Sequence, residues 1–266
     1  MENANKFRNK IRAGQTCLGS GISFIDPTVT EALCTVFDFV WIDMEHNALS
    51  LESVQNHIMA TKGTDTTPLV RVPWNDAVLI KPVLDIGADG IIVPMIRNAD
   101  DAARLVAACS YPPAGVRGFG PRRASNFGRV GAETFCQQSN ESILKIVQIE
   151  NSEAVDNLDE ILNVRGLTSI VVGPADLSLS MGHVGRFDHP DVMGTIEKII
   201  SRARKSEVIV GIASSEDPES MIRWIDLGAQ WVCMGNDTSL MLRAADQVAG
   251  RVRGHMSTVQ TRSSSA

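Results

Sequence analysis

Eight short runs of β-branched and aromatic residues recur along the chain, most of them apolar nearly from end to end. The first four are "TCLGSGIS" from Thr16, "FVWID" from Phe39, "PLVRV" from Pro68 and "GIIVP" from Gly90. "LKIVQIE" from Leu144, "SIVVGP" from Ser169, "VIVGIAS" from Val208 and "QWVCMG" from Gln230 complete the set. Each is too short for a helix and is bounded by Gly, Pro or Asp, so each reads as a strand. Between them lie amphipathic segments such as "TEALCTVF", "NADDAARLVAACS", "SEAVDNLDEIL" and "SEDPESMIRWIDLG", several opening on a Ser, Asp or Asn suited to an N-cap. Nearly continuous apolar strands separated by helices imply a parallel sheet covered on both faces. Eight of them within ~250 residues favour a closed (β/α)8 TIM barrel over an open doubly wound sheet. No G-x-G-x-x-G follows the first strand, which weakens a dinucleotide-binding reading.

The 266 residues are 44% hydrophobic, enough for a large core. No linker-like stretch divides them, so residues 1–253 are expected to form one barrel domain and residues 254–266 a disordered polar tail. A net charge of −6 argues against a sequence-independent nucleic-acid partner, which would require a basic surface. No stretch reaches the ~20 apolar residues of a membrane span, and the polar start "MENANKFRNKIRAG" does not resemble a secretory signal. The five scattered cysteines, without a C-x-x-C pair, read as buried thiols of a reducing, cytoplasmic compartment.

In a barrel of this type the chemistry lies at the carboxyl ends of the strands. Strand two ends in Asp43, Glu45 and His46, strand three carries Arg71, strand five ends with Gln148 and Glu150, and strand six runs into "GPADLS" with Asp176. Glu150 and Asp176 belong to successive strands, and neighbouring strands stand ~4.8 Å apart. Two carboxylates so placed can share one hard divalent ion such as Mg²⁺ or Mn²⁺ while leaving positions for water and substrate. Every one of these residues also has an ordinary use. Asp176 would cap a helix from Leu177, Glu150 a helix from about Asn151, and Arg71 would pair with a barrel carboxylate. His46, His57, His183, His189 and His255 would be exposed loop histidines, and Asp85 an exposed helix residue. Their convergence on one rim favours a site.

"FDFVWIDMEHN", "PLVRVPWND", "YPPAGVRGFG", "VQIE" and "VGPADLS" resemble, in order, the signatures of the HpcH/HpaI family. These are metal-dependent, class II aldolases that cleave to pyruvate, among them 4-hydroxy-2-oxoheptanedioate and 2-dehydro-3-deoxyglucarate aldolases. The related macrophomate synthase shares the style of the strand-two motif. The resemblance implies that Glu150 and Asp176 hold Mg²⁺, Mn²⁺ or Co²⁺. It implies that Arg71 holds the keto oxygen of pyruvate and its enolate, and that His46 governs proton transfer with Asp43 or Asp85 holding it. Gln148 is implied to contact substrate or water, and the main-chain amides of Ala175 and Asp176 the substrate carboxylate. It further implies a hexamer, a dimer of trimers, with the last helix exchanged between subunits. Asn47 departs from the small residue expected there and leaves the acceptor aldehyde open.

The expected reaction is reversible cleavage of a 4-hydroxy-2-oxo acid to pyruvate and an aldehyde. The segment "GVRGFGPRRASNFG" carries Arg117, Arg122, Arg123 and Arg129. Placed on the catalytic rim, it would let Arg122 or Arg123 grip a distal carboxylate or sugar-acid hydroxyls. That favours a small polar aldehyde, such as succinic semialdehyde, tartronate semialdehyde or a hydroxyaldehyde. Three rivals stand beside this reading. A Schiff-base aldolase needs a lysine at the catalytic rim. Oxaloacetate decarboxylation, or macrophomate-synthase-like chemistry, shares the enolate. A non-catalytic metabolite-binding protein would have no need to keep Arg71 and both carboxylates.

Overall fold

The computed structural model describes residues 2–264, with side chains placed as far as residue 256. The expected strands appear as β1 (Cys17–Ile22), β2 (Phe39–Asp43), β3 (Thr67–Arg71), β4 (Gly90–Val93), β5 (Leu144–Ile149), β6 (Ser169–Val172), β7 (Ile209–Ser214) and β8 (Trp231–Asn236). All neighbours pair in parallel and β8 closes on β1, which gives a (β/α)8 barrel. The covering helices are α2 (Thr28–Leu33), α3 (Leu51–Ala60), α4 (Ala77–Asp85), α5 (Ala99–Cys109), α6 (Ala132–Ser142), α7 (Ser152–Asp156), α8 (Leu158–Leu162), α9 (Pro174–Ser180), α10 (Pro190–Ala203) and α11 (Pro218–Asp226). Ser50, Asp76, Asn98, Asn151 and Asp217 cap α3, α4, α5, α7 and α11 through their side chains, as the local sequence leads one to expect.

Strand alternation sorts the core into two layers. Val40, Ile42, Val70, Val147 and Ile149 point outward into the layer beneath the helices. Phe39, Trp41, Leu69, Leu144 and Ile146 point inward and fill the barrel with Trp231. Glycine makes room for the large rings. A Cβ on Gly211 would lie 2.1 Å from the Trp231 ring, and one on Gly19 would lie 2.5 Å from Phe39. An N-terminal helix, α1 (Glu2–Arg12), stops the amino end of the barrel, where Phe7 meets Phe39 and Trp231 edge-on at 5.9 and 6.2 Å. The polar start of the chain gave no sign of this plug.

The last helix, α12 (Asp237–Ser264), runs on through most of the segment expected to be a disordered tail. Among the described residues, no helix is long and apolar enough to cross a membrane.

Candidate active site

Continuing the inward parity to the carboxyl ends of the strands brings a polar set to the barrel mouth. After Phe39 and Trp41 comes Asp43, after Leu69 comes Arg71, and after Ile146 come Gln148 and Glu150. Asp43 and Arg71 stand in register on β2 and β3. Arg71 Nε donates to Asp43 Oδ1 at 2.8 Å, and its Nη1 lies 2.9 Å from Glu45 Oε2 as an ion pair. Nη1 also reaches Gln148 Oε1 at 3.5 Å, and the guanidinium carbon lies 5.2 Å from the centre of the Trp41 ring. Asp43 Oδ2 accepts from Asn47 Nδ2 at 2.7 Å and Oδ1 accepts from the Glu45 amide at 3.1 Å.

Asp43 is thus committed to Arg71 and Asn47. The structure corrects the expectation that Asp43 holds His46: the carboxylate nearest His46 Nε2 is Glu45 Oε2, at 3.6 Å. His46 itself is 63% exposed at the mouth. Glu45 is therefore shared between arginine and histidine. Burial raises its carboxyl above the ordinary range, with Arg71 and His46 opposing the rise.

Glu150 is 2% exposed. Its Oε1 accepts the Met95 amide at 2.6 Å and its Oε2 accepts from Gln148 Nε2. Met95 adopts φ 56°, a conformation rare for a side-chain-bearing residue, and that turn aims its amide at the carboxylate. Gly173 has no side chain because Glu150 lies there: a Cβ would fall 2.9 Å from Gln148 Nε2 and 3.0 Å from Glu150 Oε2. Burial pushes the Glu150 carboxyl up to about 7, with Asp176 and Glu45 adding to the rise. The capping roles do not apply. Asn151 caps α7 in place of Glu150, and α9 begins at Pro174 after Gly173, so Asp176 sits inside the first turn.

Three carboxyl groups (Asp43, Glu45 and Glu150) therefore act on one guanidinium that is already paired with two of them, and the charge of Asp176 adds to that around Glu45 and Glu150. A buried carboxyl displaced to about 7 and left without a cation of its own fits a site that takes a divalent ion, and the donors are all oxygen. Next to Arg71 and Gln148 a cavity of about 140 Å³ opens, lined also by Trp41, Asn47, Cys233 and Asn236. That is space for a small acid, since one water takes ~30 Å³.

The model of the family described as HpcH/HpaI aldolase/citrate lyase matches residues 25–244. The chain belongs to this family. A relative from Salmonella paratyphi C, named 4-hydroxy-2-oxo-heptane-1,7-dioate aldolase, is 38% identical over 250 residues, covering 93% of this chain and 94% of its own. A family member from Burkholderia cenocepacia J2315, solved as a crystal structure, superposes with a TM-score of 0.88 at 31% identity, over 94% of this chain and 99% of that one. The crystal structure of the citrate synthase SbnG superposes at 0.81 with 29% identity, over 93% and 98%.

Two expected site residues of this family member lie elsewhere in the chain. α4 runs back from the end of β3, so Asp85, its last residue, stands at the amino end of the barrel and pairs with Arg117 Nη2 at 2.8 Å. The arginine-rich segment follows α5, and so it too lies at the amino end and not on the catalytic rim. Arg123 Nη1 donates there to the Ile86 carbonyl at 2.9 Å. A larger cavity, about 1020 Å³, opens at that end beside Arg117, Arg122 and Arg123, far along the barrel from Glu150. The histidines also differ from expectation. His57 is fully buried against Thr30 Oγ1 at 2.8 Å, and His183 and His189 stack on each other.

Proposed function

We propose that the chain catalyses reversible aldol cleavage of a 4-hydroxy-2-oxo acid to pyruvate and an aldehyde, with Mg²⁺, Mn²⁺ or Co²⁺ held by Glu150 and Asp176. The observation that carries this reading is the buried Glu150 carboxyl, pushed up to about 7 among further carboxylates, beside an arginine locked in place. When bound, the ion supplies positive charge to the keto oxygen of the 2-oxo acid. Arg71, oriented by Asp43, Glu45 and the Trp41 face, offers guanidinium donors to the same oxygen as it becomes an enolate. The Leu177 amide is the first of α9 to bond within the helix, to Gly173 at 3.0 Å. The preceding amides of Ala175 and Asp176 are left for the substrate carboxylate. Gln148, between Arg71 and Glu150, orients substrate or water. His46 accepts the 4-hydroxyl proton. The C3–C4 electron pair then passes to the enolate, which is protonated at C3 to give pyruvate.

The relative's name makes 4-hydroxy-2-oxo-heptane-1,7-dioate the first substrate to try. Pyruvate release from it, abolished by EDTA and restored by Mn²⁺, is the expected result. Borohydride inactivation in the presence of pyruvate would instead indicate a Schiff base. The geometry disfavours that route. Lys145 is 4% exposed, opens β5 at the amino end and donates to Asn140 O at 2.8 Å. Lys81 belongs to α4 on the barrel exterior.

The proposal includes a cytoplasmic hexamer, a dimer of trimers with α12 exchanged between neighbours. The exposure of Met241, Leu242, Val248 and Val252 on α12 supports its packing on another copy. Val116, Phe119 and Phe127 are likewise exposed in the arginine-rich segment. A neighbouring copy covering them is the route by which Arg123 or Asp85 would meet a substrate.

A further inference from the structure

The loop between α9 and α10, with the first turn of α10, gathers three ligand-type side chains. His183 and His189 stack with ring centroids 3.6 Å apart and planes 17° from parallel. Asp191 Oδ2 lies 3.4 Å from His183 Nε2 and 3.6 Å from His189 Nδ1. The three ligand atoms all fall within 4.8 Å of one another, the only such trio of His, Cys, Asp or Glu side chains among the described residues. A tetrahedral ion with bonds of ~2.0–2.2 Å has ligand–ligand edges of roughly 3.3–3.6 Å. The two distances given fall near that range, so the three side chains stand within reach of one ion.

We infer that His183, His189 and Asp191 form a second metal site, for a divalent ion of the Zn²⁺ type, separate from the carboxylate pair. Two imidazoles and one carboxylate select a borderline transition ion over Mg²⁺, which prefers a six-oxygen shell. The histidine side chains are 21% and 19% exposed and that of Asp191 is 67% exposed, so the fourth position opens to water. Binding requires side-chain motion only. The lone pair of an imidazole lies in the ring plane, so the stacked rings must swing their nitrogen edges together. His189 Nδ1 must also release the Asp191 amide, which it caps at 3.2 Å. The charge of Asp191 offsets the positive amino end of α10. The bound ion would tie residue 183 to the first turn of α10 across a loop that contains Gly185, at positive φ. It would thereby stiffen the segment that follows α9, the helix carrying Asp176.

The test uses the EDTA-stripped full chain and Co²⁺ alone. Tetrahedral cobalt with nitrogen ligands absorbs visible light much more strongly than six-coordinate cobalt among oxygens, so the two sites are separable. An intense visible band, saturating at one equivalent, is expected in the parent chain and in Glu150→Gln. It should vanish, with cobalt binding at this site at least tenfold weaker, in His183→Phe, which keeps the ring stack, and in His189→Asn, which keeps a capping side chain. Unchanged metal-free melting of these two variants confirms that the loss is one of ligands. In the Glu150→Gln background, Zn²⁺ should raise the melting temperature when both histidines are present and should not when either is replaced. No intense band in the parent chain, a band that disappears in Glu150→Gln, or one that survives in both histidine variants overturns the site.

Discussion

Arg71 Nε donates to Asp43 Oδ1 at 2.8 Å across the β2–β3 pair, in which the two residues stand directly opposite each other. The bond is set by strand register and not by a loop, and Glu45, Gln148 and Trp41 hold the same guanidinium from other sides. An arginine so fixed presents its remaining donors in one direction. That is what stabilising a charge that appears only during reaction requires. Arg71→Ala should therefore lower kcat by about 10²–10³-fold, and it should do so for both aldol cleavage and oxaloacetate decarboxylation, since both make the enolate. Arg71→Lys should rescue little, because one ammonium cannot serve Asp43, Glu45 and Gln148 in the geometry of a planar fork. Loss of only one of the two activities would remove Arg71 from the enolate.

His46 stands apart from this lock. It is exposed and touches the cluster only through Glu45. If it takes the 4-hydroxyl proton, His46→Ala should cost aldol cleavage about 10²–10⁴-fold and leave decarboxylation, which removes no such proton, largely intact. Glu45→Gln should follow His46 in the aldol reaction and also loosen Arg71, so it should impair both reactions. Equal losses in both reactions for His46→Ala would show that it binds pyruvate.

The barrel and most of its mouth were legible because strands declare themselves locally. Apolar runs ended in Asp43, Arg71, Gln148 and Glu150, and counting every second residue outward from Phe39 or Leu69 would have separated these from their outward neighbours. Glu45 needed more than that. Its partnership with His46 depends on Asp43 being consumed by Asn47, a contact across four residues of irregular backbone. The arginine-rich segment was misplaced for a simple reason. A loop after a helix returns to the amino end, whereas only loops after strands reach the rim, and residues 110–131 follow α5. The pairing of His183 with His189 had no signal at all, since loop residues six apart carry no period.

The Glu150 carboxyl gives a pH test. Its value is raised from an ordinary 4.5 to about 7 by burial, so the folded chain holds that proton more tightly than the unfolded chain does. For metal-free protein this contribution favours the fold at low pH and is lost as pH rises from about 4.5 through about 7. Proton and metal compete for the same oxygens, so Mn²⁺ affinity should climb between about pH 5.5 and about pH 7 and then level. Isothermal titration across that range checks it. In Glu150→Gln the slope should disappear, and a slope that persists would assign the proton to another group.

Gly173→Ala probes the same carboxylate from behind. The added Cβ would meet Gln148 Nε2 at 2.9 Å and Glu150 Oε2 and Cβ at 3.0 and 3.1 Å, so both side chains must shift. Displacing a ligand and the group that orients it should weaken metal binding about 10–100-fold, with a smaller change in melting temperature of the metal-free chain. Metal affinity equal to that of the parent would mean that Glu150 is not a ligand.

Arg123 supplies the last test, of acceptor choice. It lies at the amino end of its own barrel, so any grip on an aldehyde must operate across an interface between copies. The exposed Phe119 and Phe127 of the same segment favour such an interface. A charge-assisted bond to a distal carboxylate is worth about 1.5–3 kcal/mol. Arg123→Ala should then raise KM for succinic semialdehyde roughly tenfold to a hundredfold, while leaving pyruvate enolisation and neutral aldehydes nearly unchanged. Phe127→Asp, which should open the interface without touching the arginine, should reproduce the loss together with a drop in oligomer size on light scattering. If Arg123→Ala leaves the ranking of charged and neutral aldehydes as it was, selection lies within the single barrel mouth. Asn47, which lines the cavity beside Arg71, is then the residue to change.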